Sequence, residues 1–98
     1  MLINIIKSYR NVVAICDKEI LGKKFEEGRF QLDVKESFFS GQEITEEKIL
    51  WMIKRMSIED STFNIVGPKS IETAKKAGII SDSNVKKIQG IPFALVLI

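Results

Sequence analysis

Gly67-Pro68-Lys69-Ser70 is the segment whose residue types carry the most direct chemistry. The apolar run before it, Thr62-Phe63-Asn64-Ile65-Val66, reads as a short strand, and proline in a first-turn position opens a helix behind it. A helix N-terminus presents N–H groups without intrahelical partners and about half a positive charge, so it can hold a phosphate or a carboxylate. Lys69 and the Ser70 hydroxyl would add a cation and a donor, and neither position is acidic. Gly67, Lys69 and Ser70 are therefore a candidate anion site, for a small-ligand binder or an enzyme. The glycine spacing of a Walker loop is missing. The plainer alternative is a strand-to-helix turn with Ser70 bonded to backbone.

A second candidate is electrostatic. The chain is nearly balanced, with 15 Lys+Arg against 13 Asp+Glu. The stretch from Lys54 to Ile98, however, holds seven basic and four acidic residues. Lys69, Lys75, Lys76, Lys86 and Lys87 supply most of that surplus and form a candidate nucleic-acid surface, since phosphates are met by clustered cations. No aromatic residue interleaves with these lysines, so base stacking among them is unsupported. The alternative is a set of ordinary solvated faces.

Other chemistry is limited by what is missing. The sequence has no histidine, which removes Ser-His-Asp and Cys-His catalysis, histidine-ligated zinc and a histidine pH switch. Cys16 is the only cysteine, so no intramolecular disulfide or cysteine-cluster zinc site can form. A thiolate near a helix N-terminus can be activated, but Asp17 beside it opposes that, and a small core cysteine is the expected reading. Asp17 with Glu19, or Glu26 with Glu27, offer carboxylate pairs to a hard cation; Lys23-Lys24 nearby favours weak surface pairing instead. No metal, cofactor or catalytic residue is assigned.

These residues need elements to position them. Residues 2–7 read as a strand, Ser8-Tyr9-Arg10-Asn11 as a hairpin turn, and Val12-Val13-Ala14-Ile15-Cys16 as an interior strand, apolar on both faces. Asp17 is placed to cap a short turn through Ile20 or Leu21 that Gly22 ends. Lys23 to Gly28 reads as a charged connection. In the next strand Phe30, Leu32 and Val34 alternate with polar residues, and Glu36 to Glu43 is a loop with Phe38 and Phe39 folded back on the core. Thr45 caps the clearest helix, with Glu46 and Glu47 in its first turn and Ile49, Met52, Ile53 and Met56 as its buried stripe. Trp51 falls on the flank of that stripe; exposed, it would mark a partner surface. A second helix runs from Pro68 to Gly78, and two strands, Val85 to Gln89 and Ile91 to Leu97, meet around Gly90. The apolar end Phe93 to Ile98 reads as a central strand or as an edge that pairs in a homodimer.

The expectation is one small α+β domain over residues 1–98, with two helices on a mixed or antiparallel sheet of about five to six strands. No apolar run approaches the ~20 residues of a membrane helix. The first apolar block precedes Lys7 and Arg10, the reverse of a secretory signal, so a cytoplasmic location and no membrane partner are expected.

Val13-Ala14-Ile15-Cys16-Asp17, Glu19, Leu21-Gly22-Lys23-Lys24-Phe25 and Glu27-Gly28 resemble an archaeal family catalogued as domain of unknown function 424. Asn64-Ile65-Val66-Gly67, Ala77-Gly78 and Gly90-Ile91-Pro92 with Ala94 are similar to its later landmarks, in order, so the resemblance covers nearly the whole chain. It implies an archaeal cytoplasmic protein and transfers no reaction. The family often carries a histidine after the proline, where this chain has Phe93, so chemistry resting on that histidine is absent.

The expected function is a non-enzymatic binding module that contacts RNA or a ribosome- or translation-associated assembly through its basic C-terminal surface. The alternatives are an anion or small-ligand site at Gly67–Ser70, and a homo-oligomeric interaction subunit.

Overall fold

A run of β-branched residues in Asn11–Cys16 makes β2, the strand on which the rest is assembled. The structure, a computed structural model describing residues 1–98, pairs β1 (Leu2–Ile6) antiparallel to β2 and β6 (Ser61–Val66) parallel to it. With β5 (Gln42–Glu43), β7 (Lys86–Ile88) and β8 (Ile91–Leu97) the sheet has six strands in the order β5-β1-β2-β6-β8-β7. It is mixed, as β2–β6 is its one parallel pair. β7 and β8 are joined through Gln89 and Gly90, both at positive φ, the backbone of a tight hairpin turn.

The pleat sorts the core into two layers. Ile3, Val13, Ile15, Phe63, Ile65 and Ala94 point to one face. There they meet Ile49 and Ile53 of α2 (Glu46–Met56) and Ile71 and Ala74 of α3 (Pro68–Lys76). Thr45 caps α2 as its sequence position implies, its hydroxyl accepting from the Lys48 N–H at 3.3 Å. Leu2, Ala14, Cys16 and Val66 point to the other face, under Ile20, Val34 and Phe39.

Three expectations are corrected. Lys23–Gly28 is not a plain connection: β3 (Lys24–Glu27) and β4 (Phe30–Asp33) form a separate two-stranded hairpin. It lies over the second face through Phe25 and Leu32, and Phe30 of the alternating strand is left exposed. The loop after it contains a single helical turn, α1 (Glu36–Phe39), and β5. Asp17 occupies the cap position of the short turn Lys18–Ile20, yet its carboxylate makes no bond there.

Candidate functional site

The Asp17 carboxylate reaches across to α3. Its oxygens accept from the Lys69 N–H (3.1 Å), the Ser70 N–H (2.8 Å) and the Ser70 hydroxyl (2.7 Å). The anion that completes this helix N-terminus is therefore part of the chain, and the Lys69 and Ser70 groups that the sequence offers, with Gly67, to an outside anion are bonded to it. Asp17 and Ser70 are both buried, so an external phosphate would have to displace a bonded carboxylate. Gly67 is required by the same contact. Its φ is +109°, and a Cβ at this position would stand 2.5 Å from the Asp17 carboxyl carbon.

The lysines of α3 are similarly engaged. Lys69 pairs with Glu19 at 3.6 Å and Lys76 with Glu46 at 2.8 Å, and Lys75 pairs with Asp82. Hydrogen bonding to those carboxylates raises the pKa of Lys75 and of Lys76, and Lys75 in turn lowers that of Asp82. Glu19 is lowered by a hydrogen bond to its own backbone and then by Lys69. The cavity beside α3, about 510 Å³, is lined by Met1, Glu46, Pro68, Lys69, Glu72, Thr73 and Lys76, so two cations face two carboxylates. Lys86 and Lys87 make no ion pair, but they stand in register with Phe93 and Pro92 and so point to opposite faces of β7.

Cys16 is buried in the core, and burial pushes its thiol up to about 11, with the Asp17 charge adding to the rise. Of the carboxylates weighed for a cation, Asp17 faces α3 and Glu19 faces Lys69. Glu26 accepts from Gln31, and Glu27 from the Gln89 N–H. Neither pair converges on a common point.

A recess on the far side of α2 gathers residues that the sequence does not bring together. Ile5, Lys7, Trp51, Met52, Arg55 and Met56 enclose about 230 Å³ between the end of β1 and the helix. Trp51 is 59% exposed, and the Arg55 guanidinium carbon lies 5.5 Å from its ring centroid. Lys48 is three positions before Trp51, on the same flank of the helix as Arg55. Lys7, Lys48, Lys54 and Arg55 make no ion pair, and no carboxylate lines the recess. The one sequence signal for it was Trp51 beside the amphipathic stripe.

The sequence from residue 6 to residue 98 matches the model of a family described as "Protein of unknown function (DUF424)". The chain belongs to this family. No curated protein matches the sequence. Among solved structures the chain is similar to an uncharacterized conserved protein from Methanopyrus kandleri, with a TM-score of 0.89 and 21% identity over 99% of this chain and 90% of that one. At that identity the likeness concerns the fold alone. No helix of this DUF424 chain is long and apolar enough to cross a membrane.

Proposed function

We propose that the chain is a non-enzymatic binding module that contacts RNA phosphates along the outer side of α2 and the turn after β1. The observation that carries this reading is the contrast in pairing. The lysines of α3 are held by carboxylates, whereas Lys7, Lys48, Lys54 and Arg55 are exposed and unpaired; of the two exposed carboxylates of α2, Glu46 is held by Lys76 and only Glu47 is in no ion pair. Phosphates bind where they release counterions from free cations, not where they must first break an ion pair. This moves the basic surface away from Lys69, Lys75 and Lys76; Lys86 and Lys87 stay free at the opposite edge of the sheet.

Binding of a labelled single-stranded RNA across a salt series tests the reading. Three or four phosphate contacts give a slope of about −2 to −3 in log K against log salt. Lys48→Glu/Arg55→Glu is expected to flatten that slope by about half, and Lys69→Glu/Lys76→Glu to leave it nearly unchanged. Loss with Lys86→Glu/Lys87→Glu alone would return the surface to the C-terminal strands. Absence of binding at low salt removes the reading.

A second reading, a subunit that self-associates, is favoured by β8. β7 pairs with β8 only from Ile91 to Phe93. Ser61 and Ile98 exchange both backbone hydrogen bonds, so the N–H and C=O of Leu97 turn away from β6, toward an edge with no strand on it. Leu95 and Leu97 are 60% and 66% exposed, and no charge lies between Ile91 and Ile98 to guard that edge. A second copy fits it, because an uncharged strand edge is complementary to itself under two-fold antiparallel pairing. Sedimentation equilibrium of the wild type and of Leu97→Glu decides: a dimer abolished by the substitution supports this reading, and a monomeric wild type removes it.

A further inference from the structure

The α2 cations account for phosphates, but they leave Trp51 unexplained. Ile49 and Ile53 are fully buried and hold α2 on the sheet, so the fold does not require a large aromatic ring on the flank. Every other large apolar residue of α2 is at least half buried, and Trp51 alone stands out into solvent. The Arg55 guanidinium sits over its ring, and Met52 and Met56 line the same recess.

We infer that this recess takes one unpaired nucleobase of a single-stranded RNA, stacked on the Trp51 ring or on the Arg55 guanidinium plane. Lys7 and Lys48 would then meet the phosphates on either side. The inference rests on the RNA reading above and names the form of RNA that its surface accepts. Three features of the recess select this ligand. Its size, about 230 Å³, is below the ~300–1,000 Å³ of pockets for drug-sized molecules and suits a single planar ring system. Its lining carries two cations and no carboxylate, which favours an anionic ligand over a cationic one, whereas the larger cavity by α3 offers carboxylates as well. Its stacking surfaces are sequence-tolerant, because every base has a π-face. A base inside an A-form duplex is already stacked and paired and cannot enter such a recess, so the site discriminates for single strands. The turn that carries Lys7 also carries Tyr9, fully exposed, a second aromatic residue two positions on.

Trp51 is the only tryptophan, so its fluorescence reports the recess and nothing else. The experiment follows two signals as a mixed-sequence single-stranded oligoribonucleotide is added: anisotropy of a label on the RNA, for binding, and Trp51 emission, for stacking. The two curves are expected to saturate together. Trp51→Ala is expected to weaken binding about 5- to 150-fold, the range for loss of one base stack, and Trp51→Phe to retain most of the affinity. An abasic oligonucleotide and the corresponding duplex should bind more weakly and leave the emission unchanged. Binding without quenching, unaltered by Trp51→Ala, overturns the stacking site while the phosphate reading stands. Equal binding of the abasic strand overturns it in the same way. If no RNA binds, both readings fall. Quenching by an acidic, aromatic-containing peptide at lower concentration than by RNA assigns the recess to a protein partner and overturns the inference.

Discussion

Two recesses share α2 as a wall, and they differ in how their charges are spent. The one beside α3 is the larger, about 510 Å³ against 230 Å³, and it lies next to the helix N-terminus that the sequence marks as anion-binding. There Asp17 occupies the N–H groups, Glu46 holds Lys76 and Glu19 holds Lys69. The one between β1 and α2 is smaller, yet no carboxylate lines it, its cations Lys7 and Arg55 are in no ion pair, and its aromatic ring is exposed. Volume and helix polarity thus do not by themselves mark unpaired charge in this chain. What separates the two recesses is whether their charges already have partners, since a carboxylate of the same chain competes with an incoming anion as an intramolecular partner.

The comparison can be broken at its shared wall. Ile53 is fully buried between α2 and the sheet, and Ile53→Ala is expected to cost ~2–5 kcal/mol in a urea melt and to loosen both recesses together. A loss below ~1 kcal/mol would mean that α2 is held by some other face. Next in size is the internal anion. Asp17→Ala removes three hydrogen bonds to a buried carboxylate and should cost ~2–4 kcal/mol, with Asp17→Asn costing less. It also opens the α3 terminus: inorganic phosphate should raise the Tm of Asp17→Ala and leave that of the wild type unchanged. Phosphate stabilising the wild type equally would restore the anion site at Gly67–Ser70.

The smallest effect is the pH dependence of the pair between half-buried Lys75 and exposed Asp82. The folded-state pKa of Asp82 is lowered from its ordinary 3.8, so its contribution is present above that value and is lost as pH falls through the lowered one. That of Lys75 is raised from 10.5, so its contribution is present below 10.5 and is lost as pH rises through the higher one. Stability should therefore be flat with respect to this pair between those limits. Asp82→Asn should remove a shallow acid-side loss, read as the difference between the two Tm profiles, and coincident profiles would show the pair to be without consequence.

Much of the architecture is local in origin and was legible before folding. The doubly apolar run of β2 demands cover on both faces and has it, from α2 and α3 on one and from Ile20, Val34 and Phe39 on the other. Thr45 and the Ile49–Ile53 spacing set α2 and its buried face. Pro68 and Gly78 bracket α3, and the α+β class follows from the order of elements. The hairpin of β3 and β4 was half legible. The alternation of Phe30, Leu32 and Val34 shows in the sequence, but the charged Lys24–Glu27 does not read as its partner, because that strand gains its backbone bonds from pairing rather than from apolar burial.

The sites were decided at long range. Asp17 and Ser70 are 53 positions apart, and no local pattern says that one will cap the other; β2 and β6 run parallel, so their ends bring the two side by side. Lys69 and Lys76 have the spacing of a basic face, but the partners that neutralise them, Glu19 and Glu46, arrive on other elements. Lys7 and Arg55 are likewise brought around Trp51 only when α2 packs across β1. Composition and periodicity record which residues are cationic, aromatic or buried. Whether a charge meets its counter-charge depends on pairings across tens of residues, and that is a property of the folded chain alone.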